Sequence, residues 1–112
     1  MPKFHVTVPH PLSQEDAVRK LNGFVDLLRS RYKDQLSGLE ESWDNNILSF
    51  GFKTYGIQVS GKITVNDHSL DLDGDLPFSA IMFKGKIEST IRDELTKLMD
   101  PGGAGSGSTQ TA

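Results

Sequence analysis

The chain has 112 residues, with 12 lysines and arginines, 15 aspartates and glutamates and no cysteine. That length allows one domain with one modest core. A net charge of -3 argues against a nucleic-acid binder, which usually carries a basic surplus; the missing cysteines exclude a disulfide framework or thiolate site and fit a reducing cytoplasm.

The first residues, "MPKFHVTVPHPL", lack the long apolar run of a secretory signal, and no stretch approaches the ~18 apolar residues of a membrane span. "KFHVTV" alternates: Phe4, Val6 and Val8 share one face, and Lys3, His5 and Thr7 the other. This predicts a half-buried strand, which "PHP" ends. Ser13 then reads as a helix N-cap, with Asp16 at the capping-box position and Leu12 and Ala17 as a hydrophobic staple. Ala17, Leu21, Phe24 and Leu28 recur at helical spacing, with Val18, Val25 and Tyr32 beside them, so the first helix is expected over 13–33, weakened at Gly23.

Four alternating runs follow. They hold Leu39, Glu41 and Trp43; then Leu48, Phe50 and Phe52; then Ile57, Val59, Gly61, Ile63 and Val65; then Leu70, Leu72, Gly74 and Leu76. "NN" (45–46), "YG" (55–56) and "DH" (67–68) separate them as two-residue hairpin turns. Those turns predict three cross-strand rows: Trp43, Leu48, Ile63 and Leu72; Glu41, Phe50, Gly61 and Gly74; Leu39, Phe52, Val59 and Leu76. All three hairpins then place their apolar residues on one face, which a one-residue slip would scramble. Phe83, Ile87, Ile91 and Leu95 repeat every four residues and predict a second helix over 78–99. "PGGAGSGSTQTA" has nothing to bury, so a domain at 2–100 is followed by a Gly/Ser-rich flexible tail at 101–112.

"LDLDGDLPF" (70–78) looks at first like a calcium loop. Counted from Asp71, however, the sixth and twelfth places hold Leu76 and Met82, where an EF-hand needs glycine and glutamate. Alternation instead sends Asp71, Asp73 and Asp75 to the polar face, with Asp73 across from Lys62 and Asp71 across from Thr64. His5, His10 and His68 are spaced as exposed polar residues, and no set of three or four converging ligands suggests zinc. No metal or cofactor is expected. No serine sits in a nucleophile elbow, and the lysines of "MFKGK" lack phosphate-loop spacing. They read as a solvated face or as a contact with an anionic surface.

Two irregularities stand on the apolar face. Glu41 is either a buried carboxylate, which must be paired or titrate abnormally, or an edge-strand residue reaching solvent. Gly61 and Gly74 leave a hollow, which the second helix fills (Phe83 being the candidate side chain), a bend of the sheet closes, or a ligand enters. A pocket or helix contact there would be lined by Glu41, Trp43, Phe50, Gly61, Gly74 and Phe83.

"VPHPLSQEDAVRKL" and "LDGDLPFSAIMFKGKIESTIRDEL" resemble the small bacterial polyhydroxyalkanoic acid system proteins, over about residues 2–99. The resemblance implies a cytoplasmic accessory protein of polyester storage, associated with the granule or its proteins. It carries over no catalytic residue.

The expected architecture is therefore α+β: β-α-β-β-β-β-α with a five-stranded antiparallel sheet in the order 2-3-4-5-1, both helices on one face, like a reduced helix-grip. Two functions compete. One is a non-enzymatic storage accessory protein; the other is a small module holding an acyl or other apolar ligand between sheet and second helix. Oligomeric state is left open.

Overall fold

The computed structural model describes residues 3–31, 34, 36–54 and 56–100. The elements are β1 (Lys3–Pro9), α1 (Gln14–Arg31), β2 (Ser37–Asp44), β3 (Ile47–Thr54), β4 (Ile57–Val65), β5 (Ser69–Asp75), a 3-10 helix (Phe78–Phe83) and α2 (Lys84–Met99). The expected last residues of the first helix (32–33), Tyr55 of the second turn and the tail at 101–112 lie outside the described residues.

β1 alternates strictly between buried and exposed positions. After it, Ser13 caps α1: its Oγ accepts the Asp16 N–H at 3.1 Å, and its carbonyl accepts the Ala17 N–H at 2.9 Å. The Asp16 carboxylate does not complete a reciprocal box but takes Arg19 Nη1 at 2.6 Å. Acids in the first turn (Glu15, Asp16) and cations in the last (Arg29, Arg31) complement the helix dipole. Ala17, Leu21 and Val25 are the buried stripe.

The sheet has the order β1-β5-β4-β3-β2, and all four neighbouring pairs are antiparallel. Two of the three expected rows form: Trp43–Leu48–Ile63–Leu72 and Glu41–Phe50–Gly61–Gly74. Asn45 supplies the positive φ (57°) that the β2–β3 turn requires. At the β4–β5 turn the Asn66 N–H donates to the Ser69 carbonyl at 2.8 Å, closing the hairpin around Asp67 and His68.

The third row is interrupted at both ends. Ser37 pairs with Lys53 but Glu40 with Gly51, so the register shifts between them. Gly38, at φ 62°, lies in that shift, and its left-handed backbone suits a bulge on an edge strand. At the other end β5 stops at Asp75; Leu76 has left the ladder yet is fully buried.

One core joins the inner sheet face to both helices, with Phe4, Val6, Leu48, Ile63, Leu70, Leu72, Leu21, Leu95 and Met99 among its members. The second helix departs from expectation. Its first six residues are 3-10, and the chain enters α2 only after Phe83, whose φ/ψ of -98°/3° lies off the α region. Burial along the four-residue repeat rises from half-exposed Phe83 through half-buried Ile87 and Ile91 to buried Leu95.

Candidate functional site

The Cβ positions of the two glycines in the Glu41–Phe50–Gly61–Gly74 row are occupied from within the sheet, and an open depression lined by Phe4, Phe50, Gly61, Gly74, Lys84 and Glu88 lies beside them. Extended to the fifth strand, the row ends in Phe4, which pairs with Gly74. A Cβ placed on Gly74 would collide with Cε1 and Cζ of the Phe4 ring, and that ring is buried. On Gly61 a Cβ would meet the Asp73 carbonyl oxygen at 2.5 Å, Gly74 Cα at 2.9 Å and Phe50 Cζ at 3.2 Å. Backbone on the facing strand lies closer to Gly61 than any side chain tolerates, whereas at Gly74 the obstacle is the buried Phe4 ring. An aromatic ring laid over a strand glycine from the neighbouring strand is a known compensation. Phe83, the candidate filler among the three alternatives, is half exposed: the 3-10 turn carries its side chain to the surface, and the Phe4 ring occupies the Cβ position of Gly74.

Glu41 lies on the inner face of edge strand β2 and is mostly shielded, its side chain 19% exposed. It does not simply reach solvent. Arg29 of α1 meets its Oε1 at 2.9 Å and also lies 3.5 Å from Asp26. The carboxylate is a clamp between helix and sheet. Trp43, two residues on, is half-buried against the core and donates from Nε1 to Asn22 Oδ1 at 3.3 Å. Phe50 stacks with Phe52, ring centroids 6.3 Å apart.

Between α1, α2 and β3–β4 an apolar groove of about 200 Å³ remains. Phe24, Leu28, Leu39, Phe52 and Ile91 are among its walls, with Thr90 and Glu94 of α2 also on it. Phe24, Leu28, Leu39 and Ile91 are only half-buried, so the roof formed by the helices is incomplete over this end of the sheet.

The outer face is polar, and its aspartates are engaged by β1. Lys3 Nζ reaches Asp75 Oδ1 at 2.9 Å, His5 Nδ1 reaches Asp73 Oδ1 at 2.6 Å, and Thr7 Oγ1 donates to Asp71 Oδ1 at 2.8 Å. Asp71 also accepts from Asn66 Nδ2 at 2.8 Å. Lys62 and Thr64 stand across from Asp73 and Asp71 in the ladder. Thr7, His5 and Asp73 have the order of a hydroxyl–imidazole–carboxylate relay, with Thr7 Oγ1 2.9 Å from His5 Nε2. A relay needs the hydroxyl proton aimed at the imidazole, whereas Thr7 directs its proton to Asp71.

His10 corrects the expectation of three exposed histidines. It is buried. The Leu12 N–H points at its Nδ1 from 3.2 Å, and its Nε2 lies 2.9 Å from the Asn66 carbonyl oxygen. One ring nitrogen accepts and the other donates, which is the neutral Nε2–H tautomer. His10 N–H also donates to the His68 carbonyl at 3.0 Å, so His10 pins the loop after β1 onto the β4–β5 turn. Its two flanking prolines suggested an exposed loop, and no periodicity covers a residue between elements.

The largest departure lies at the 3-10 helix. Phe78 is 76% exposed, Ile81 47%, Met82 79% and Phe83 50%. Among the described residues these are four of the five exposed large apolar side chains, Leu27 being the other. Only Ala80 of this helix is buried. Among the described residues no helix is long and apolar enough to cross a membrane.

These features define a small α+β domain: an open antiparallel sheet, polar outside and packed inside against two helices, with an apolar knuckle where the chain enters the second. No curated protein matches the chain. It matches the family described as "Putative polyhydroxyalkanoic acid system protein" over residues 4–99 and belongs to that family.

Proposed function

We propose that the chain is a non-enzymatic accessory protein of polyhydroxyalkanoate storage, working in the cytoplasm at the granule surface. The observation that carries this is the exposed cluster Phe78, Ile81, Met82 and Phe83. Monomeric proteins keep large contiguous apolar patches off their surfaces unless something covers them, and in a polyester-storage family the granule is an apolar body that could. The non-enzymatic part rests on the sequence, which holds neither a nucleophile-elbow serine nor a cysteine. Deleting the gene in polyester-producing cells tests the role. Granule number or size should change; granules identical to those of the parent strain would reject it.

The groove favours a second reading, a binding module for an acyl chain. A cavity of about 150 Å³ suffices for benzene, so about 200 Å³ accommodates a short aliphatic chain. A fluorescent fatty-acid titration tests this: saturable binding abolished by Leu39→Trp would support it, and absence of binding would remove it.

A further inference from the structure

We infer that the segment 76–87 is an interfacial docking element that inserts Phe78, Ile81, Met82 and Phe83 into a phospholipid surface, where Lys84 and Lys86 meet anionic headgroups. For its biological location this rests on the granule proposal; as a binding property it stands by itself.

Two features coincide in the same dozen residues. The first concerns burial. Residues i and i+3 of a 3-10 helix eclipse one another, so Phe78 and Ile81 fall on one side, the most exposed residue, Met82, follows on the next, and Phe83 shares the side of buried Ala80 and is half exposed. The second concerns charge. The first turn of α2 carries Lys84 and Lys86 and no acid, where α2 continues directly from the 3-10 helix and the Lys84 N–H donates to the Ile81 carbonyl. α1 by contrast opens with Glu15 and Asp16. The stretch from Leu76 to Ile87 holds no acidic residue; Asp75 and Glu88 flank it and line one depression with half-buried Lys84, which leaves Lys86 the more exposed of the two lysines. A place where local preference fails is expected to be a functional or strained site.

Together they describe the occupant. Apolar side chains adjoining lysines match the boundary of an anionic lipid layer, where acyl chains take the former and headgroups the latter. An acidic protein surface is the alternative occupant, and a wild-type protein that ignored vesicles would point to it.

The test is flotation of the full chain with vesicles of phosphatidylcholine alone and of phosphatidylcholine mixed with phosphatidylglycerol. The mixed vesicles should bind more tightly, and high salt should remove the difference. Phe78→Ser with Met82→Ser should weaken binding to both by at least about tenfold, since two large apolar side chains no longer enter the lipid. Lys84→Gln with Lys86→Gln should weaken binding to the mixed vesicles alone, by about fivefold per lysine, while leaving the urea midpoint within the range of ordinary surface substitutions. Lost binding with intact stability separates docking from a structural role. Wild-type protein that ignores both vesicles, or variants that bind like wild type, would overturn the inference. So would a knuckle occupied by a second copy, seen as a wild-type dimer in sedimentation that the serine variant makes monomeric without any change in vesicle binding. Granule association that survives the serine variant would reject the docking element and spare the granule proposal; vesicle binding by a protein absent from granules would do the reverse.

Discussion

Replacing Gly74 by Val probes how the sheet is packed at its thinnest place. The new Cβ falls on Cε1 and Cζ of Phe4, a buried ring with little room to retreat. Overpacking of this kind costs about 1–3 kcal/mol, and the better strand propensity of valine returns less than about 1 kcal/mol. A net loss of about 1–2 kcal/mol follows. Phe4→Leu isolates the cause, because leucine lacks both colliding atoms. Alone, it should cost about 1–2 kcal/mol, as usual for partial loss of a buried side chain. In the double variant the new valine side chain occupies space the ring has vacated, so the two losses should fall short of adding by about 1 kcal/mol or more. Equilibrium urea melts of the four proteins, with m-values compared, give the coupling. Simple additivity would refute the placement of Phe4. Unchanged stability of Gly74→Val with loss of fatty-acid probe binding would instead mean that the glycine row floors a ligand pocket.

Three further sites test the helix, the clamp and the buried histidine. Gly23 is exposed inside α1 with open space where a Cβ would go, so Gly23→Ala should raise stability by about 0.5–1 kcal/mol in a urea melt. Arg29→Ala strands the largely shielded Glu41 carboxylate and should cost about 1–3 kcal/mol, whereas Glu41→Leu, which removes the charge from the inner face, should be near neutral or stabilising by the same assay. His10→Ala should cost about 1–3 kcal/mol, since it leaves the Leu12 N–H and the Asn66 carbonyl without their ring partner; a change below about 0.5 kcal/mol, within the range of ordinary surface substitutions, would contradict its burial.

Strand order and most of the register were legible in the sequence, because a period of two leaves little choice once one face must be buried and the turns are short. Trp43–Leu48–Ile63–Leu72 forms as the alternation requires. The bulge at Gly38 was missed because "SG" passes for a strand edge; a glycine at a strand start was the available signal. Phe4 opposite Gly74 could have been found by carrying the glycine row onto β1, whose pairing with β5 was already expected. The knuckle was the hardest to foresee. Phe83 keeps the spacing of Ile87 and Ile91, and spacing reports which residues share a face, not whether anything covers it. So short a stretch of chain is also too little to separate a 3-10 helix from the α-helix that follows.

The most direct measurement is fractionation of polyester-producing cells on a density gradient, with the chain followed by immunoblot in wild-type form and as Phe78→Ser/Met82→Ser. Granule docking through the exposed cluster predicts that the wild-type protein bands with the granules and that the variant shifts to the soluble fraction with its urea midpoint intact. A wild-type protein found wholly in the soluble fraction would contradict the account.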